Sequence, residues 1–366
     1  MVHRRLVRAL PFVAFIGLAA CSSSSSKGTT GGSDAGPMLT DAQYQANAVS
    51  GMHDTLLKDI DDLLTAANAV QAAAPSNLAG WSDDAQVTNM KNAWIQARAA
   101  YEHSEGAISP LFPDIDVSID ARYDDFLASL GPAGDTYLFD DQGVTGMHAM
   151  ERILYATVTP QSVVTFESTL PGYVAASFPT TDQEASDFKN KLCTKLVSDV
   201  TDLQTQWTPT NINVAIAYQG LVSLMNEQRE KVNKAASSEE ESRYSQRTMV
   251  DLRDNLDGTK AVYAIFQPWI VSKTNSDKTK DGPTIDGLIQ AGFTKLAAAY
   301  AQISGDAFPP VPATWSSENP SPSDLQTPFG QLYTNVQAAV DPTTNGSVVF
   351  EMNAAATVLG FPVFTQ

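Results

Sequence analysis

Cysteine is nearly absent from this chain: Cys21 and Cys193 are the whole set. Two lone thiols so far apart build neither a disulfide framework nor a thiolate metal cluster. Histidine is scarce as well, limited to His3, His53, His103 and His148, so any imidazole chemistry rests on very few residues. Basic residues are outnumbered, 23 Lys and Arg against 41 Asp and Glu, for a formal charge of −18. Such a field repels nucleic acid, which is bound through basic patches. It attracts cations and keeps a chain in solution. No apolar run reaches the ~20 residues that a membrane-spanning helix needs. Strict two-residue alternation is nowhere sustained, which removes the pattern of a half-buried sheet; Thr157-Val158-Thr159 is a connector at most, closed by Pro160. Also missing are a P-loop, Rossmann glycines, a GxSxG elbow and a CxxC pair.

What is present begins at the N-terminus. His3, Arg4, Arg5 and Arg8 form a basic segment, followed by an apolar stretch from Ala9 to Ala20 with the length of a signal-peptide core. Leu18-Ala19-Ala20-Cys21 then resembles the lipobox of bacterial lipoproteins, with small residues before the cut and a cysteine after it. Residues 1–20 are therefore expected to be a signal peptide. Cys21 is expected to carry lipid, giving an exported, membrane-anchored protein on the periplasmic side or the cell surface. Ser22, rather than Asp, after the cysteine favours the outer membrane. Removing the leader deletes Arg4, Arg5 and Arg8 and no acid, so the charge moves from −18 to −21. The serines from Ser22 to Ser26, and the Lys, Gly, Thr and Asp after them, cannot bury enough apolar surface to fold. Residues 21–40 thus read as the lipidated Cys and a flexible tether.

Beyond the tether, helical periodicity dominates. Thr40 or Asp41 caps a helix carrying Met52, Leu56, Ile60, Leu63, Ala67 and Val70 at steps of three and four. A second begins near Ser82, with Val87, Met90, Trp94, Ala97 and Tyr101 on one face. Others cover about 121–130, 143–156, 182–207, 211–235, 246–270 and 283–303. Cys193 shares an apolar side with Phe188, Leu192, Leu196 and Leu203, the place of a small buried hydrophobe. The pattern predicts an all-α protein built of helical bundles. The length past the tether exceeds the usual size of one core, so two lobes are expected. Thr208-Pro209-Thr210 marks the boundary, giving bundles over 41–208 and 209–305. A Pro-rich loop and closing helices follow over 306–366.

Four patterns are able to carry chemistry. In Gly146-Met147-His148-Ala149-Met150-Glu151, His148 and Glu151 stand three apart and share a helix face, where an imidazole and a carboxylate can hold one metal ion. Gly146 permits close backbone approach at that helix start. Arg98, Glu102 and Glu105 make a polar stripe beside Trp94 and Tyr101. Asp114 and Asp116, then Asp120, form an acid cluster soon after. Tyr244-Ser245, Arg247, Asp251 and Asn255 make a polar row that Gly258 ends. By spacing alone, each pattern also fits a solvated surface: exposed helix faces for the His148 and Arg98 patterns, an acidic loop for Asp114 to Asp120, and a row facing water for Tyr244 to Asn255.

GxHxxE, filled here by Gly146, His148 and Glu151, is a signature of the imelysin family. Trp94, Ala97 and Tyr101-Glu102, followed by Phe112-Pro113-Asp114-Ile115-Asp116, resemble that family's N-terminal stretch. Tyr244-Ser245, Asp251, Asn255 and Asp257-Gly258, with Pro268 beyond, resemble a segment of its periplasmic iron-transport lipoproteins. Gln246 and Thr248 stand where those proteins often carry His and Asp, and the chain after about residue 306 resembles nothing in the family. The resemblance implies two packed helical bundles with a metal site in or near the cleft between them. It implies His148 and Glu151 as ligands, with Glu102 and an acid from Asp114 or Asp116 nearby. Gly146, Arg98, Glu105, Tyr244, Asp251 and Asn255 would border the site. Oxygen donors with one imidazole suit iron, and zinc less exclusively.

The leading expectation is an iron-binding lipoprotein for uptake or handling, with an inner-membrane iron permease as partner. The second is a metallopeptidase, because imelysins have been classed that way. A zinc peptidase needs about three protein ligands, an open water position and a placed base. The HExxH arrangement is missing and only Glu105 offers itself as base, so the balance lies against an enzyme. The third is a structural surface lipoprotein with a decayed site, which Gln246 and Thr248 keep open.

Overall fold

The structure is a computed structural model that describes residues 39–208 and 211–365. The leader, Cys21, the tether up to Met38 and the Pro209-Thr210 boundary lie outside the described residues. Helix-start chemistry fixes the first element. The Thr40 hydroxyl accepts the Gln43 N–H, while Gln43 Oε1 accepts the Thr40 N–H at 2.8 Å. This reciprocal capping box satisfies two donors that a helix start would otherwise leave open.

From there the chain runs α1 (Asp41–Ala73), α2 (Leu78–Trp81), α3 (Asp84–Leu111), α4 (Pro113–Asp120), α5 (Tyr123–Leu130), α6 (Gly146–Leu154) and α7 (Gln161–Glu167). It continues with α8 (Asp182–Asp187), α9 (Cys193–Trp207), α10 (Val214–Lys234), α11 (Thr248–Val271), α12 (Gly282–Ala301), α13 (Pro328–Val340) and α14 (Val348–Leu359). A turn of π-helix, Phe188–Leu192, joins α8 to α9, so the helix expected over 182–207 passes through a bulge. Among the described residues there is no strand, and no helix long and apolar enough to cross a membrane. The fold is all-α.

The apolar stripes decide what packs on what. Met52, Leu56, Ile60, Leu63, Ala67 and Val70 of α1 are buried, as are Val87, Met90, Trp94, Ala97 and Tyr101 of α3. These faces meet each other, and α9 covers α1. On the other side α10, α12, α13 and α14 pack together. Helix α11 touches both sets: it lies on α1 and α3 and also on α10, α12 and α14. The described chain from Leu39 onward therefore forms a compact unit. Buried aromatic side chains keep their polar ends bonded across helices. The Trp94 indole donates to the Met147 carbonyl at 2.9 Å, and the Tyr263 hydroxyl to Asp286 at 2.9 Å.

The segment after the Pro-rich loop belongs to this core. Val348, Val349, Met352, Ala355 and Ala356 of α14 are buried, and the Tyr218 hydroxyl of α10 donates to the Met352 carbonyl at 3.2 Å. The Phe361 ring sits 5.4 Å from that of Trp269 and 5.8 Å from that of Tyr218. A chain ended at Gly305 would leave the α10 and α12 faces bare. It is expected to lose its sharp thermal unfolding transition, followed by circular dichroism. An unchanged transition would show the tail to be dispensable.

Candidate metal centre

Gly146 sets the geometry of α6. Its φ is +78°, and a Cβ built on it would lie 2.4 Å from the Ile119 carbonyl oxygen. Only glycine allows the start of α6 to sit so close to the end of α4. The helix then turns His148 and Glu151 inward, both fully buried. His148 Nδ1 lies 3.1 Å from Glu151 Oε2, and Glu151 Oε1 accepts the Ser245 N–H at 2.8 Å. With Nδ1–H donating to this carboxylate, Nε2 is the nitrogen left to face the rest of the site. It is buried and has no hydrogen-bond partner. Asp120 Oδ1 stands 3.5 Å from it and Glu241 Oε1 3.4 Å. Ligand atoms of Asp120, His148 and Glu241 all lie within 4.8 Å of one another, close enough to share one ion.

Two permanent cations stand among these acids. Arg98 of α3 pairs with Glu102 and Asp120, lies 3.2 Å from Glu241 Oε1 and 3.7 Å from Asp251 Oδ1. Lys231 of α10 lies 3.3 Å from Glu105 and 3.5 Å from Glu241 Oε2. Asn255 of α11 links the sides: its amide donates to Glu102 and Glu105, and its oxygen accepts from Lys231 and Gln228, each at 3.1 Å. Burial pushes the carboxyls of Glu102, Asp120 and Asp251 upward, against the pull of Arg98. Glu241 stays well below the usual range, because Lys231, His148 and Arg98 outweigh its burial. For His148, burial and Arg98 push downward, but Asp120, Glu151 and Glu241 prevail and raise it to about 9. With carboxylates in excess over fixed cations, protons supply part of the compensating charge, and a metal ion is the other species able to do so.

A cavity of about 310 Å3 lies beside this group, lined by Glu105, Asp120, Lys231 and Glu241 together with Arg122, Asp125, Glu227, Glu230 and Lys234. Asp120 and Glu241 are thus reached from this cavity. The two sides of the site come from different parts of the chain: α3, α4 and α6 on one, α10, α11 and the segment between them on the other.

The residues singled out in the sequence divide clearly. His148, Glu151, Glu102, Arg98, Asp251 and Asn255 lie in one buried network joined through Asp120 and Glu241, with the half-buried Glu105 at its edge. Asp114 is exposed. Asp116 bonds to the Tyr101 and Ser109 hydroxyls, and burial lifts its carboxyl to about 7. The acid of this segment beside His148 is Asp120, one helical turn beyond Asp116. Glu102 is engaged with Arg98 and Asn255, and Glu151 backs Nδ1 rather than facing Nε2. The Tyr244 hydroxyl donates to Glu167, which also holds Arg152 at 3.0 Å; Arg152 stacks 3.8 Å over the Tyr123 ring. Gln246 adopts φ +58° and donates to Glu240 at 2.7 Å, while Thr248 accepts the Ser242 N–H at 3.1 Å. Glu241 and Lys231 escaped the sequence reading. The available signal was the acid run Glu239-Glu240-Glu241 just ahead of Tyr244-Ser245.

The family model for imelysin matches residues 48–311. The chain belongs to the imelysin family. It is 27% identical over 212 residues to the "Iron uptake system component EfeM" of Pseudomonas syringae pv. syringae (strain B728a), covering 57% of this chain and 60% of that protein. It is 24% identical over 242 residues to an "Efem/EfeO family lipoprotein" of Staphylococcus haemolyticus (strain JCSC1435), covering 66% and 68%. The chain thus spans about three fifths of the length of the Pseudomonas relative. The crystal structure of an imelysin-like protein from Psychrobacter arcticum 273-4 superposes with a TM-score of 0.56 at 12% identity, covering 89% of this chain and 98% of that one. That likeness shows the imelysin-like fold. His148 and Glu151, which fill the GxHxxE pattern, lie within the matched residues and in the network just described.

Assembly of this centre depends on how closely α11 approaches α3. A Cβ on Gly258 would lie 1.9 Å from the His103 carbonyl oxygen, so Gly258→Ala must move backbone. It is expected to cost about 1–3 kcal/mol by thermal unfolding; an unchanged melting temperature would show that the crossing is not tight.

Proposed function

We propose that this protein is an exported, membrane-anchored iron-binding lipoprotein serving uptake or handling, with Asp120, His148 and Glu241 as its ligands. The observation that carries the reading is His148 Nε2: buried, without a hydrogen-bond partner, and facing two carboxylate oxygens. Glu151 acts one step back, fixing the imidazole through Nδ1, as carboxylates behind metal-bound histidines do. Two carboxylates with one imidazole and no thiol suit iron, with zinc as the second candidate. The Pseudomonas and Staphylococcus relatives, an iron uptake component and a lipoprotein by name, support the same role. In it, Cys21 carries the lipid, the outer membrane is the favoured location, and an inner-membrane permease receives the iron.

Titration of Fe2+ into the chain from Leu39 onward is expected to show one equivalent bound. His148→Ala, Asp120→Asn and Glu241→Gln should each abolish it, Glu151→Gln should weaken it roughly 10–100-fold, and Asp114→Asn should leave it alone. Binding that survives His148→Ala overturns the site, and zinc bound in preference to iron would turn the reading toward a zinc hydrolase. Cell fractionation tests the anchor. Cys21→Ser is expected to move the protein from the membrane to the soluble fraction, and retention on the membrane would rule the lipid out.

A further inference from the structure

Two of the three proposed ligands are already engaged. Asp120 Oδ1 pairs with Arg98 Nη1, and Glu241 Oε1 lies 3.2 Å from Arg98 Nη2. These are the same two oxygens that face His148 Nε2. An ion held by Asp120, His148 and Glu241 therefore needs the oxygens that the guanidinium holds. Arg98 is buried, so a metal ion and its fixed charge would be neighbours in a setting where repulsion is poorly screened.

Arg98 has other partners within reach. Glu102, one turn along α3, and Asp251 of α11 stand outside the ligand group. Arg98 Nε has no hydrogen bond, and Asp251 Oδ1 is 3.7 Å from it. A rotation toward Asp251 thus gains a bond as those to Asp120 and Glu241 are given up. Glu241 keeps its place meanwhile, because Lys231 stands 3.5 Å from its second oxygen, Oε2.

We propose, building on the iron-binding reading, that Arg98 is the internal counter-ion of these carboxylates and that an incoming metal displaces it. Loading is then an exchange of cations on fixed carboxylates, and the returning guanidinium helps expel the metal. The exchange also selects. Mg2+ and Ca2+ gain little from an imidazole ligand, so they do not recover the energy needed to move Arg98. Arg98 is a positioning residue in this scheme and makes no contact with the bound ion.

Two measurements on the mature protein test it. Arg98→Met, which keeps length and removes charge, is expected to bind Fe2+ on the order of tenfold tighter and to release it more slowly to a competing chelator. Equal or weaker binding by a folded Arg98→Met protein overturns the proposal. The second uses the wild type and so does not depend on that variant folding. The Arg98 Nε–H signal, followed by NMR with Zn2+ as a diamagnetic probe, should shift in step with metal occupancy. Zinc bound with that signal unmoved sinks the exchange while leaving the metal centre intact; no metal bound at all overturns both.

Discussion

A buried guanidinium surrounded by carboxylates is the constraint around which the centre is built. Taking an arginine out of water costs several kcal/mol, and only close, well-placed acids offset it. Arg98 meets that demand with Glu102 on its own helix, Asp120 at the end of α4, Glu241 in the α10–α11 segment and Asp251 on α11. The dependence runs both ways, because those acids are themselves buried, Asp120 partly so, and need a cation. Four stretches of chain are thereby drawn to one point, and His148 is surrounded as a result. Lys231 and Asn255 extend the same bargain toward Glu105.

Much of the fold was legible because apolar stripes at helical spacing have few alternatives. Met52 to Val70 and Val87 to Tyr101 are buried as their spacing demands, and the Thr40 cap is a local matter that four residues settle. The His148–Glu151 pair was legible for the same reason: three residues apart on a helix is a fixed distance. The acid segment was harder. Asp114, Asp116 and Asp120 are equally acidic, and only the rotation of α4 against α3 and α9 leaves Asp114 in solvent, sends Asp116 to Tyr101 and brings Asp120 to His148.

Glu241 was illegible in a stricter sense. It lies in a stretch without helical periodicity, where no rule gives the direction of a side chain. Its neighbour Glu240 bonds to Gln246, while Glu241 itself faces His148 and Lys231. The closing helices posed another difficulty. No local rule says where they pack: Phe361, just past α14, meets Tyr218, Phe266 and Trp269, which lie far earlier in the chain.

The clamp behind α6 has a consequence for the energetics of binding. Arg152, one residue after Glu151, is stacked on Tyr123 and tied to Glu167, and Glu167 in turn holds Tyr244, one residue before Ser245. Both ends of the Glu151–Ser245 contact are thus anchored from outside the site. The imidazole is oriented while the chain folds, so under the proposed function its rotamer entropy would be lost then and not on binding. A preorganised donor of this kind makes complex formation less unfavourable in entropy. It confines reorganisation to the side chains in front of the histidine, leaving the helix behind it still.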